Sequence, residues 1–476
     1  MATRDFSHYF LYRWRYVIGY TAIGLLLAGV LLFAGLYLPG GLSAAEQESV
    51  VRSASLSLQT PSTLAIPNMP YYALQSLFLS VFGISTFTIK LPSLILALAS
   101  AVGLILLLRR WFKPNIAVLA SLIAISTGQF LFIAQLGTPS VLYIFWPITL
   151  LLLGTQITRA ERHRFIYKIM FAICAALSLY TPLGMYPLIA VALAVVFHPH
   201  LRAIIRRLKR HRLIIVSSIF LLLVAPLVWF MVLSPELLGT LLIGTPPSWP
   251  PDFIANGHTL LQQYFFFWRP TSSEFMSPVF GLGSALLIAI GLYRLILTRD
   301  TTRSYLIIFW MACIVPVLLI NPAFTSVTFA PSVLMMAAGL TSLIGYWYRL
   351  FPLNPYARVT GLIPIIILVG ALISTGLVRY VYGYHYNPQV APLFSKDLHL
   401  LPSDTAQLVV TKDEKPFYAA VASFRQGLDV VTQPTIDTPT VTRAARGDIS
   451  GYSIKEIITN ERSSEADRFY VMQRSS

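Results

Sequence analysis

The sequence predicts an α-helical polytopic membrane protein of about eleven transmembrane helices, followed by a small extracytoplasmic α/β domain. Of its 476 residues, 56% are hydrophobic and only 11% are charged. A soluble domain carries about 25% charged residues, so this chain has too few to cover a globular surface. Apolar runs near the roughly 20 residues that cross a bilayer recur along most of the chain, and a polar, mixed-charge segment follows them.

The first apolar run, 17–38, follows Arg13 and Arg15. It is too long for the core of a signal peptide and lacks a small-residue cleavage site, so we interpret it as a signal anchor. The complete set of predicted spans is 17–38, 86–108, 115–136, 140–157, 169–181, 183–197, 213–232, 278–296, 304–321, 326–347 and 359–378.

The basic residues predict the orientation. Before residue 388, all but four of them fall in the N-terminal segment or in alternate loops, which the positive-inside rule assigns to the cytoplasm. The four exceptions are Arg52, Lys90, Arg269 and Arg379. We therefore expect a multi-pass protein of the plasma membrane with a cytoplasmic N-terminus and an extracytoplasmic C-terminal domain. The same rule accounts for the net charge of +16 without a nucleic-acid partner.

Two domains are predicted, a transmembrane domain at 1–387 and a C-terminal domain at 388–476. In the first domain, 39–85 forms the first outer loop and 233–277 forms a long outer loop. The apolar stretch 69–82, bounded by Pro and Gly, is too short for a span, so we expect an interfacial or re-entrant helix there.

Short apolar or alternating runs in the C-terminal domain predict strands, and two further runs predict helices. The predicted strands are 406–411, 428–433 and 468–473, and the predicted helices are 415–424 and 453–459. Both cysteines of the chain fall in apolar runs, so we expect no disulfide framework.

Two carboxylates, Glu46 and Glu48, follow the first predicted span. Residues two apart on a helix point to different faces, so only one of them is expected to face a pocket. A purely structural reading is that both are solvated in a loop or occupy the first turn of a helix, where acids are favoured. Arg52 would then form an ion pair along that helix. Lys90 either holds a lipid phosphate or extends to the membrane interface.

Aromatic residues of the outer loops have two interpretations. In the first interpretation, a sugar or prenyl groove is lined by Tyr71, Tyr72 and the stretch QQYFFFWRP at 262–270. In the second they form the interfacial belt that is common in membrane proteins.

Five segments follow one another in an uncommon order: LSAAEQESVVRSA (42–54), PNMPYYALQSLFLSVFG (67–83), STFTIKLPSLILAL (85–98), RRW (109–111) and FAPSVLMMAAGL (329–340). Their order resembles that of the GT-C superfamily of integral membrane glycosyltransferases, in its protein-mannosyltransferase-like and aminoarabinose-transferase-like branch. The polar C-terminal domain is similar to that of many members.

The sequence departs from the pattern of this superfamily at several positions. Ala45-Glu46 stands where relatives have Asp-Glu, and the loop 137–140 carries no acid. The segment 67–70 replaces a His-Pro-Pro entry, and Lys90 replaces the usual Arg before Leu-Pro-Ser. The site of this chain is therefore expected to rest on fewer acids than in relatives.

The resemblance implies transfer of a sugar from a polyprenyl-phosphate donor to an acceptor hydroxyl of a protein, lipid or glycan at the outer membrane face. It implies Glu46 as the general base, with Glu48 as the alternative. The cations that would hold the donor phosphate are Arg52, Lys90 and Arg269. The residues of the substrate groove would be Tyr71, Tyr72, Trp268 and Glu274. A divalent cation would suit this chemistry, but no residues form a clear ligand set, so no metal site is assigned.

Two other classes of function remain open. The first is a catalytically degenerate GT-C-like protein that binds a lipid-linked sugar or scaffolds envelope enzymes, which the missing acids favour. The other is a transporter. We place it after both other functions because the predicted spans are almost free of ionisable residues and no inverted repeat is visible.

Overall fold

The computed structural model describes most of the chain. The described residues are 41–57, 65–159, 164–206, 210–244, 250–267, 277–350, 362–388, 390–425, 427–434, 440–443, 451–459 and 467–474, with residues 63 and 360 and part of 14–33.

α-Helices dominate the part before the C-terminal sheet. In chain order they are α1 (Ala44–Ala54), α2 (Met69–Phe82), α3 (Thr86–Trp111), α4 (Pro114–Ile125), α5 (Gly128–Gln135), α6 (Leu142–Arg159), α7 (Arg164–Ser178), α8 (Tyr186–Phe197), α9 (Pro199–Arg206), α10 (Arg210–Leu233), α11 (Glu236–Ile243), α12 (Phe253–Phe265), α13 (Leu282–Leu297), α14 (Thr302–Ile320), α15 (Phe329–Leu350) and α16 (Leu362–Tyr380).

Six of the described helices are long and apolar enough to cross a membrane, and the number reaches eight if each of two bent pairs is one span. The bent pairs are α4 with α5, at 61°, and α8 with α9, at 93°. The predicted multi-pass helical membrane fold is confirmed. The sequence-based number of about eleven is higher because it also counted apolar runs that form shorter helices, such as α7 and α13, and the run 17–38, which is described only in part.

Helix α2 matches the short helix predicted at 69–82. Asn68 precedes it with φ 62°, in the left-handed region, and Pro70 stands in its first turn. Gly83 ends the helix with φ 75°, a value that costs a glycine little. The flanking residues thus set both ends of α2, which packs against α1 and α3.

The C-terminal part contains helix α17 and a mixed sheet. Its elements are β1 (Gln407–Val409), α17 (Lys415–Phe424), β2 (Asp429–Val431), β3 (Thr440–Arg443), β4 (Tyr452–Ile458) and β5 (Phe469–Arg474). The described strands lie in the order β2-β1-β3-β5-β4. Strand β1 is parallel to both of its neighbours, whereas β5 is antiparallel to β3 and β4. The predicted α/β character of this part is confirmed.

The helix predicted at 453–459 is wrong, because these residues form β4. Ile454 lies opposite Met472, and Ile458 lies opposite Phe469, in the antiparallel ladder with β5. Three isoleucines in this short segment favour an extended strand, and the segment pairs with β5 along its length.

The C-terminal sheet shares a buried apolar cluster with the membrane part. Helix α17 packs directly on α1. The cluster includes Leu42, Val50, Leu79 and Ile89 from the first part of the chain, and Leu408, Phe417, Tyr418 and Phe469 from the C-terminal part. Removing this apolar surface from water stabilises the contact by roughly 25 cal/mol per Å². The shared cluster therefore fixes α1 between the membrane helices and the sheet.

Helices α13 and α15 approach each other closely at two glycines. A Cβ atom on Gly291 would lie 1.8 Å from the carbonyl oxygen of Met335. A Cβ atom on Gly339 would lie 2.0 Å from the carbonyl oxygen of Leu287. Both obstacles are backbone atoms, so no side-chain rotation can relieve them. The two glycines allow backbone contact of the kind that small residues permit between membrane helices.

We expect Gly339→Ala to lower the melting temperature in detergent, because the added methyl group forces the two helices apart at a cost of about 1–3 kcal/mol. Gly345→Ala, further along the same helix, is the matched control, since nothing lies within 4 Å of the position that its methyl group would take. Thermal unfolding of both variants in one detergent tests this. Equal melting temperatures would contradict the close helix contact.

Candidate functional site

The site is built on helix α1, whose start is fixed by a capping box. The Ser43 hydroxyl accepts a hydrogen bond from the backbone N–H of Glu46, at 3.3 Å. The Glu46 carboxylate accepts one from the backbone N–H of Ser43 through Oε2, at 2.8 Å. The two exchanged bonds satisfy donors that the first turn of a helix otherwise leaves unpaired.

The second carboxylate oxygen of Glu46 connects α1 to two other segments. Oε1 accepts a hydrogen bond from the backbone N–H of Gly137, at 2.7 Å, and lies 3.8 Å from Nζ of Lys90. The ammonium group of Lys90 also donates to the carbonyl oxygen of Gly41, at 3.1 Å. The side chains of Glu46 and Lys90 are 0% and 2% exposed. The structure therefore places these two predicted site residues inside the protein, bound to each other.

A polar contact that the sequence reasoning missed holds another face of α1. Ser49 and Ser53, one turn apart, donate hydrogen bonds to Oε1 of Gln75 on α2, at 2.7 and 2.6 Å. The amide nitrogen of Gln75 donates to the carbonyl oxygen of Ile89 on α3, at 2.9 Å. All three polar side chains are buried. The spacing of the two serines at i and i+4 was the available signal for this buried face.

Glu48 and Arg52 lie on the exposed side of α1 as an i,i+4 ion pair. Oε1 of Glu48 is 2.5 Å from Nη2 and 3.0 Å from Nε of Arg52. The side chains of Glu48 and Arg52 are 61% and 44% exposed. Partial burial acts to lower the pKa of Arg52, but the hydrogen bonds and charge interactions with Glu48 and Tyr72 together outweigh it and leave this pKa raised. The ion pair that the structural reading of the sequence anticipated is thus present.

A cavity of about 550 Å³ opens beside this ion pair, and we call it the α1 cavity. Its wall includes residues of α1 and of the regions 67–68, 138–143 and 323–326. Among its described lining residues, Glu48 is the one acid and Arg52 the one base. The cavity therefore has one charged wall, formed by a carboxylate that can accept a proton and a guanidinium that can bind an anion.

The two tyrosines of α2 lie in different places. Tyr72 lines the α1 cavity, and burial raises the pKa of its hydroxyl. Tyr71 does not line the cavity, and its hydroxyl is buried in a 2.7 Å hydrogen bond with Ser93. Tyr72 consequently stays protonated near neutral pH and can donate a hydrogen bond into the cavity. Tyr71, in contrast, packs against α3.

The structure brings three of the predicted site residues to one cavity, namely Glu48, Arg52 and Tyr72. Three others, Trp268, Arg269 and Glu274, lie outside the described residues. Within the described part of the chain, no group of three or more His, Cys, Asp or Glu side chains is close enough to hold a metal ion.

These features define a polytopic membrane protein with a charged cavity beside α1, the short helix on which the C-terminal part packs. The segment 67–230 matches the family model described as dolichyl-phosphate-mannose-protein mannosyltransferase. No curated protein sequence matches the chain.

Two solved structures of ArnT from Cupriavidus metallidurans match nearly the whole chain. The apo structure matches with a TM-score of 0.55 and 12% identity, over 96% of this chain and 98% of ArnT. The structure bound to undecaprenyl phosphate matches with a TM-score of 0.54 and 12% identity, over 95% and 98% of the two chains. The chain therefore has a fold like that of ArnT, and the similarity in fold that the sequence resemblance implied is confirmed.

We expect Glu46→Gln to lower the free energy of unfolding by about 3–5 kcal/mol, because it removes the carboxylate that lies 3.8 Å from the buried ammonium group of Lys90. Glutamine also has one acceptor oxygen where the carboxylate has two, so the N–H of Ser43 or of Gly137 loses its partner. Thermal and denaturant unfolding in detergent measure the loss.

The matched control is Glu48→Gln on the same helix, where loss of an exposed ion pair costs about 0–1 kcal/mol. In the double variant Glu46→Gln with Lys90→Met, the cost should be smaller than the sum of the two single costs, because neither charge remains buried alone. Equal stabilities of the Glu46→Gln and Glu48→Gln variants would show that the buried pair is not needed for the fold.

Proposed function

We propose that the protein is a membrane glycosyltransferase that moves a sugar from a polyprenyl-phosphate donor to an acceptor hydroxyl in the α1 cavity. The observation that carries the proposal is the pair of charged side chains, Glu48 and Arg52, on the wall of a 550 Å³ cavity in a GT-C fold. Two findings support it. One matching ArnT structure contains undecaprenyl phosphate, and the matching family model is that of a dolichyl-phosphate-mannose mannosyltransferase.

In the proposed reaction, Glu48 is the general base. Its carboxylate takes the proton of the acceptor hydroxyl while the oxygen attacks the anomeric carbon of the donor sugar. The bond between this carbon and the phosphate oxygen breaks, and polyprenyl phosphate leaves with the bonding electrons. The reaction consumes one acceptor hydroxyl and needs no oxidant or reductant. Glu48 is chosen over Glu46 because the carboxylate of Glu46 has no exposed surface and is occupied by Ser43, Gly137 and Lys90.

Arg52 is proposed to hold the donor phosphate, since a guanidinium binds phosphate oxygens with two parallel hydrogen bonds. The exposed pair with Glu48 is worth about 0–1 kcal/mol, so a phosphate can take over Arg52 and release the carboxylate for catalysis. Tyr72 adds a hydroxyl donor to the same wall. Lys90 is a weaker candidate than Arg52 because it is 2% exposed and bound to Glu46 and Gly41.

The orientation and domain boundaries are part of the same proposal. Thr138, which lines the α1 cavity, accepts a hydrogen bond from Ser93 in the first half of α3, whereas Arg109 and Arg110 lie in the last turn of that helix. The positive-inside rule then supports an extracytoplasmic site and an extracytoplasmic segment 388–476. The proposal also includes Arg269 as a further ligand of the donor phosphate. It extends to the identity of the sugar and the class of the acceptor.

A second candidate function is binding of a lipid-linked sugar without transfer. The Glu48–Arg52 pair itself favours it, because these two residues supply the charges of the described cavity wall and neutralise each other. Such a protein would keep donor affinity and lack turnover.

We expect Glu48→Gln to reduce sugar transfer by about 10²- to 10⁴-fold, because the amide cannot take the proton of the acceptor hydroxyl. Transfer and release from a panel of labelled polyprenyl-phosphate sugars, measured with purified protein, test this. Glu236→Gln is the control, because Glu236 is an exposed acid at the start of α11 that does not line the cavity.

The outcomes separate the candidates. Loss of transfer in Glu48→Gln, with unchanged melting temperature, supports the proposed base. Full activity in Glu48→Gln and loss in a folded Glu46→Gln variant would reassign the base to Glu46. Donor binding without turnover in the wild-type protein would establish the binding function instead.

A further inference from the structure

A second cavity lies at the other end of the helix bundle. It has a volume of about 800 Å³, and Trp111 and Arg159, at the C-terminal ends of α3 and α6, contribute to its wall. Helix α3 has 26 residues, so its two ends are about 39 Å apart. The α1 cavity lies near the first end of α3, so the two cavities are separated by about one membrane thickness. We call the second one the basic cavity.

The interior of the basic cavity is apolar and is formed by several helices. Its apolar lining includes Leu150, Leu151, Phe171, Val191, Val195 and Leu213 from α6, α7, α8 and α10. Helix α9 turns by 93° from α8 and places Leu201, Ile204 and Ile205 on the same wall. Arg202 and Arg206 lie on α9 but do not line the cavity. A short helix with one apolar and one basic face, set across the axis of its neighbour, is typical of a membrane interface.

Cationic side chains surround this apolar space. Arg159, Lys168 and Arg303 line the cavity together with His198 and His200, and its described lining residues include no acid. Arg159 and Arg303 donate to the carbonyl oxygens of Arg110 and Trp111 rather than to carboxylates.

The cations also repel one another. The positive charges of Arg212 and Arg164 repel that of Lys168 at one edge of the cavity. Nδ1 of His198 is buried and has no hydrogen-bond partner among the described residues. The cavity thus offers several hydrogen-bond donors and an excess of positive charge beside an apolar interior.

We propose that the basic cavity binds one anionic phospholipid from the adjacent leaflet. The lipid phosphate would lie among Arg159, Lys168 and Arg303, and an acyl chain would fill the apolar space under α9. A free phosphate would leave that apolar space unfilled, whereas a phospholipid matches both halves of the cavity. Basic pockets between transmembrane helices are known to accept anionic lipid headgroups. This site is separate from the α1 cavity, and the proposal does not depend on sugar transfer.

The test measures lipid retention by the purified full-length protein with native mass spectrometry, after exchange into detergent containing equal amounts of phosphatidylglycerol and phosphatidylcholine. We expect the wild-type protein to retain one phosphatidylglycerol molecule in preference to phosphatidylcholine. The variants Arg159→Gln and Lys168→Gln should each weaken this binding about fivefold or more, because each removes a positive charge near the phosphate.

Two further variants separate a built site from general surface charge. Arg206→Gln removes an exposed charge from α9 outside the cavity lining and should leave retention unchanged. Gly154→Leu adds apolar bulk to the cavity wall without changing charge, and its Cβ would make an ordinary van der Waals contact with Phe171 at 3.9 Å. This variant should also lose the lipid.

The proposal would be overturned by equal retention of the two lipids, by equal losses in Arg206→Gln and Lys168→Gln, or by displacement of the lipid by inorganic phosphate at millimolar concentration. Melting temperatures of all variants are measured in parallel. A Gly154→Leu protein that melts like the wild type and still retains the lipid would likewise overturn it.

Discussion

The buried carboxylate of Glu46 is the interaction on which the candidate site depends. One oxygen closes the capping box with Ser43, and the other accepts from Gly137 and faces Lys90. Lys90 in turn binds the carbonyl oxygen of Gly41. A single side chain thus joins the start of α1, the loop after α5 and the first turns of α3. Breaking such a buried pair on one side is costly, because the remaining charge stays desolvated. The position of the next turn of α1, which carries the charged cavity wall, follows from this anchor.

The C-terminal part holds α1 from the opposite direction. The backbone N–H of Leu42 donates to the carbonyl oxygen of Lys396, at 2.7 Å, and Nζ of Lys396 donates to Gln47 on α1, at 3.1 Å. Lys396 also lies 3.4 Å from Glu414, which binds Arg443 of β3 at 3.0 Å. A chain of charge-assisted contacts therefore runs from the sheet to α1, beside the shared apolar cluster.

The sequence was sufficient for features that depend on local composition. Pro70 and Gly83 bound α2 because each acts on its own stretch of backbone. Strand β4 was missed because its state depends on pairing with β5, which lies later in the chain. Which of Glu46 and Glu48 is buried likewise depends on a contact with a distant part of the chain. Helical spacing predicts that the two acids point apart, but which one is buried depends on Gly137, which no local pattern indicates. The C-terminal helix–sheet contact with α1 is equally non-local.

The departures from the superfamily pattern become interpretable once these contacts are known. The loop at 137–140 carries no acid, yet its backbone N–H at Gly137 binds an acid from α1. A Cβ atom on Gly137 would lie 3.0 Å from the carbonyl oxygen of Ile89 and 3.2 Å from Oε1 of Glu46, so glycine lets the loop approach the carboxylate. Under the proposed function, this arrangement divides the work between two acids. Glu46 fixes α1, and Glu48, released from Arg52 by the donor phosphate, performs the proton transfer. A site with one accessible acid can therefore still supply both a base and an anion-binding cation from a single helical turn.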